Sequence, residues 1–155
     1  MATISNDQDL RKLLARLSAE QQRIIGARFA QSVIRLSRDE RVNRAIETAL
    51  RPDASPGELE DAYHAAKAWA TKTYTECGKD TDWLAQADHF VAAAAAAALT
   101  PEHLLPEKTN RAWKAAMHAR MANNCELVEA DDDSSHTDEV QRQHAIADDY
   151  LDAAG

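Results

Sequence analysis

An all-α bundle of about seven helices is the fold this sequence predicts, and three observations predict it. Alanine supplies 32 of the 155 residues, with only four Gly and four Pro. β-branched residues are sparse, which argues against a sandwich, a barrel or a doubly wound sheet. Side-chain N-caps recur along the chain ahead of apolar stretches with a helical period. Hydrophobic residues at 45% and charged residues at 28% argue against wholesale disorder. The length suits a single helical domain over 1–155, burying roughly 70% of the surface of the unfolded chain.

Taken in order, the first helix is expected over Asp7–Leu17. Ser18 with Gln21 forms a capping box that opens a second helix to about Leu36. Ser37 with Glu40 repeats the pattern for a third, ending near Leu50, where Arg51-Pro52-Asp53-Ala54 breaks the chain. Ser55-Pro56-Gly57-Glu58 then supplies an N-cap, a first-turn proline and a carboxylate at the third position. That fourth helix is expected to end near Cys77, with Gly78 as its left-handed cap. Asp80 or Thr81 starts a fifth helix through Leu99, and Thr100-Pro101-Glu102 begins a short turn before Pro106. Thr109 or Asn110 opens a sixth to about Glu129, and Asp138 or Glu139 a seventh to about Leu151. Between the last two, residues 131–138 cluster carboxylates with Ser and Thr, which predicts an acidic flexible loop.

Two helices carry too much alanine to lie at the surface. The fifth has a bulky face (Trp83, Leu84, Ala87, Phe90, Val91, Ala94, Ala98) and a small one (Ala85, Ala92, Ala96) around His89. The sixth repeats that plan, with Trp113, Met117, Met121, Asn124 and Val128 against Ala112, Ala115, Ala119 and Ala122. A helix apolar on most of its circumference belongs in the middle of a bundle, and alanine lets neighbours approach closely. These two are therefore expected as the central pair.

Charge narrows the partners. The net −8 hides a gradient: residues 1–52 carry ten Lys/Arg against six Asp/Glu, and each later third carries four against ten. An acidic sum disfavours nucleic acid, whose phosphates need a dense cationic surface. The N-terminal arginines are expected to pair with the acidic remainder of the fold or to keep a helical face wet. The most apolar window, Phe90–Leu99, is too short for a bilayer core of about 30 Å, and residues 1–9 lack signal-peptide character. A cytoplasmic protein that binds neither nucleic acid nor membrane is the expectation. Cys77 and Cys125 do not make a disulfide framework.

Candidate chemistry is thin. No glycine-rich phosphate loop or nucleophile elbow is present, so an enzyme is the less favoured reading. Asp61 and His64 have di-iron spacing but lie on the outward face of their helix. Five metal-competent residues fall near inward faces: Cys77, His89, His118, Cys125 and His144. His118 and Cys125 are separated by seven positions, within about 20° of one helical face. Zinc or another transition metal held by His89, His118 and Cys125 is the sharper hypothesis, although no short paired ligand spacing supports it. A second cluster, Glu76, Cys77, Asp82, Trp83, Gln86 and His89, surrounds one helix–helix turn and is a candidate small-molecule site, or an acid/base site. A thiol at a helix C-terminus is held protonated by the dipole, which counts against Cys77 as a nucleophile. The leading expectation is an acidic surface over residues 53–155 that engages a basic protein partner or a like subunit. A small-molecule or metal site between the central helices is the rival.

Overall fold

A computed structural model describes residues 4–74, 82–130 and 136–154. Among these the chain forms a compact bundle of seven α-helices with no strand: α1 (Asp7–Ala15), α2 (Ala19–Gln31), α3 (Glu40–Leu50), α4 (Pro56–Tyr74), α5 (Trp83–Leu99), α6 (Arg111–Glu129) and α7 (His136–Ala154). None of them is long and apolar enough to cross a membrane. Short 3-10 turns at Ile34–Leu36 and Glu102–Leu104 end the chain's passage out of α2 and α5.

Most of the caps are those expected. The Ser18–Gln21 box closes in both directions, and Ser55 and Glu58 do the same at the head of α4, with bonds of 3.0 and 3.1 Å. The Asn110 side chain accepts from the Trp113 amide and also donates to the Leu14 carbonyl at 2.9 Å. One cap differs. Asp39, not Ser37, caps α3, because its carboxylate accepts from the Arg41 amide and also holds the Arg41 guanidinium. A charge-assisted pair outcompetes a neutral hydroxyl for the same orphan donors. Asp82 caps α5 through the Ala85 amide. Residues 136–138, expected at the end of the acidic loop, form the first turn of α7. The rest of that loop (131–135) and the segment with Glu76, Cys77, Gly78, Asp80 and Thr81 lie outside the described residues.

α5 and α6 make the most extensive helix–helix contact, as a central pair. In α5 members of both faces are buried, Val91 and Ala98 with Ala92 and Ala96, whereas α6 buries its small arc. Ala112, Ala115, Ala119 and Ala122 of α6 are all sequestered, whereas Met121 and Val128 of the bulky arc are about half exposed. This departs from the expectation that both arcs are covered. The reason is visible at Gly26 in α2. A methyl placed there would stand 3.1 Å from Ala98 Cβ and 3.3 Å from Ala112 Cα. Backbones this close leave room only for small residues, so the alanine face of α6 takes the centre and its large residues turn aside.

Two apolar clusters result. The larger joins α2, α3, α4, α5 and α6, and the smaller joins α1, α2 and α6 with Ala147 of α7 around Leu10, Leu14, Ile25 and Phe29. α7 is fastened mainly by polar contacts. Arg120 of α6 donates to both oxygens of Asp7 at 2.7 and 2.8 Å and to Gln143 at 2.8 Å, and His144 Nε2 lies 3.0 Å from the same Asp7 carboxylate. Buried Glu139 accepts from Ser32 of α2 and from Arg142. His144, one of the metal-competent residues, is thus bonded to a carboxylate.

Arg120, and next His144, hold the Asp7 carboxyl far below its ordinary range, against the opposing effect of burial. The native state therefore binds that proton less tightly than the unfolded chain. The contribution is complete above about pH 4 and is lost as pH falls toward the native value. Asp7 is two-fifths exposed, so solvent screening reduces its worth. Asp7→Asn is expected to cost about 1 kcal/mol at pH 7, with the gap to wild type narrowing below pH 4 in urea unfolding curves. Equal costs at pH 7 and pH 2.5 would remove the ionic explanation.

Candidate functional site between α4, α5 and α6

α4 and α6 both pack on α5 but make no substantial contact with each other. The gap between them is a pocket of about 660 Å³, floored by Ala93, Ala96 and Ala97 of α5. α4 supplies one wall through Tyr63, Lys67, Thr71 and Tyr74, and α6 the other through Lys114 and His118. The connection from α5 to α6 closes one end with Leu104, Leu105 and Pro106. That connection is held by Arg111, whose buried guanidinium donates to the Thr100 carbonyl and to Glu102, both at 2.7 Å.

Two imidazoles face this space. His89 is buried, with Nδ1 2.9 Å from the Thr73 hydroxyl. The same Thr73 hydroxyl lies 2.7 Å from the Trp69 carbonyl, so it links the imidazole to the backbone of α4. Burial lowers the His89 pKa, with the Ala70 carbonyl and Asp88 opposing. His118 is more strongly affected. Its pKa is pushed down to about 4, by burial first and then by Lys114, His89 and Lys67. It is neutral at pH 7, and its Nδ1 is buried without a hydrogen-bond partner among the described residues. The Phe90 ring lies between the two, edge-on to His89 at 5.0 Å and stacked on His118 at 6.0 Å.

Of the residues singled out from sequence, His89 and His118 are brought to one pocket. Cys125 is buried but does not line it, since two turns of α6 carry it about 10 Å further along the axis. Among the described residues no group of three or more His, Cys, Asp or Glu side chains stands close enough to hold a metal ion. The His89–His118–Cys125 zinc triad is therefore not assembled. Asp82, Trp83 and Gln86 do not line the pocket either; Asp82 is a helix cap, 4.0 Å from Arg38. Glu76 and Cys77 lie outside the described residues. His64 is exposed, as its outward position predicts, near Glu60 rather than Asp61.

Lys67 and Lys114 escape sequence reasoning, because lysines on helix faces read as solvated, and Tyr63, on the apolar arc of its helix, reads as core. Asp88 escapes it too. It is buried, accepting from the Arg38 amide at 2.7 Å and from Trp69 Nε1 at 2.8 Å, and so ties α5 to α4 and to the head of α3. Three of the N-terminal arginines pair with the acidic remainder, Arg28 with Asp149, Arg35 with Glu126 and Arg38 with Asp82, whereas Arg41 pairs with Asp39 and Arg23 donates to the Ala49 and Arg51 carbonyls. No known family model, curated protein or solved structure matches the chain.

Proposed function

We propose that this helical domain binds a small, largely apolar molecule in the pocket between α4, α5 and α6. One observation carries the reading. His118 Nδ1 is buried and unpaired at the wall of a 660 Å³ pocket. A buried polar atom without a partner costs about 1–3 kcal/mol, and a ligand group that reaches it removes that cost. The volume lies within the range of about 300–1,000 Å³ typical of ligand sites, and an apolar lining with a few polar groups is their usual chemistry.

The test is 2-naphthol, a neutral planar probe, titrated calorimetrically against wild type and Ala93→Trp. Ala93 is on the pocket floor and only half-buried, so tryptophan there fills the space without entering the core. Binding to wild type is expected, with at least a tenfold loss in the variant at unchanged thermal stability. Absence of binding, or binding indifferent to Ala93→Trp, contradicts the reading.

Docking of a basic protein partner, or of a second copy, is a second reading for the acidic portion of the chain. Exposed Met121 and Val128, two turns apart on α6, favour it. It predicts association that weakens as salt rises, and salt-independent behaviour would count against it.

A further inference from the structure

The chain carries 26 Asp and Glu against 18 Lys and Arg, yet among the described residues no carboxylate lines the α4–α5–α6 pocket. The charged residues among its described lining are Lys67, from the α4 wall, and Lys114, from the α6 wall. Neither lysine forms an ion pair among the described residues, although arginines elsewhere in the fold repeatedly do. The sign of the charge is therefore reversed locally, between two stretches of the sequence, 53–108 and 109–155, in each of which acidic residues outnumber basic ones by ten to four.

Lys67 and Lys114 reach this space from opposite walls, with His118 on the second of them. After burial, both lysines disfavour a positive charge on the His118 ring. A low-dielectric pocket with basic groups on two walls concentrates a positive field and favours an anion. The remaining surface constrains shape. Three alanine methyl groups make a flat floor, and Phe90 and His118 stand beside it as stacked rings. A planar ring placed on that floor stacks with them.

We infer that the ligand is a planar apolar carboxylate, its carboxylate held between Lys67 and Lys114 and its ring lying over Ala93, Ala96 and Ala97. This rests on the small-molecule reading above and adds the charge and shape of the ligand. Lys67 and Lys114 supply charge-assisted donors, and the neutral His118 ring supplies one polar contact and an apolar face.

The experiment compares 2-naphthoate with 2-naphthamide, which share a ring and differ in charge, on wild type and on the Lys67→Gln/Lys114→Gln double variant. Naphthoate is expected to bind wild type at least tenfold more tightly, and to weaken as salt is raised. In the double variant that preference is expected to vanish while the naphthamide affinity and the melting temperature hold. Both lysines are solvent-exposed, so their replacement leaves the packing intact. Equal affinities of the two probes for wild type would overturn the carboxylate while leaving the pocket's role in place. A preference that survives the double variant would overturn the two-lysine clamp. Failure of both probes to bind would overturn this inference together with the reading beneath it.

Discussion

Gly26→Leu is expected to destabilise the fold by about 3 kcal/mol, near the upper end for overpacking a core. At Gly26 even a methyl group would stand 3.1 Å from Ala98 Cβ, and Ala112 Cα is 3.3 Å away. The second of these is backbone, so no rotamer change relieves it. For a chain of this length the loss lowers the melting temperature by roughly 10 °C. Gly26→Ala is the informative control. Its Cβ demands a shift of a few tenths of an ångström, while alanine gains about 1 kcal/mol in helix propensity over glycine. The two nearly cancel, so a small net change is expected. If leucine at 26 were tolerated, α2 would not approach α5 and α6 at backbone distance, and the explanation for the buried alanine face of α6 would fail.

Asp88→Ala is expected to cost a comparable amount, about 3 kcal/mol. The carboxylate is buried and accepts two hydrogen bonds, from the Arg38 amide and from Trp69 Nε1. Removing it leaves both donors without that acceptor, and each such donor costs about 1–3 kcal/mol when buried. Because α3, α4 and α5 meet at this one side chain, the loss spreads over three helices. A double-mutant cycle with Trp69→Phe isolates the indole bond, with a coupling of at least about 1 kcal/mol expected. Additive costs would mean that Trp69 and Asp88 do not act together.

Much of the architecture is legible before any coordinates. Caps are local chemistry, so Ser18, Ser55 and Asn110 announce their helices correctly. Alanine content and an apolar circumference mark α5 and α6 as central. Which arc turns inward is not local, because it depends on how closely the neighbours approach, and Gly26 decides that from a distant helix. The site is less legible still. His89 and His118 can be placed on inward faces by periodicity, but the pocket exists because α4 and α6 straddle α5 without meeting. No spacing within one helix encodes that gap. Lys67 and Lys114 become meaningful only when two walls bring them to one cavity. Asp88 is hidden for a similar reason: a carboxylate in an apolar stretch looks like a boundary until Trp69 and the Arg38 amide arrive from other elements.

The pocket between α4, α5 and α6 is tested most directly by locating a bound probe on the histidines. Imidazole resonances of wild-type protein would be followed by NMR at pH 7 during titration with 2-naphthoate. The expected result is saturable shifts at His89 and His118, which line the pocket, with His64, His103 and His144 unchanged. Shifts confined to the other histidines, or none at all at millimolar probe, would contradict a ligand site in that gap.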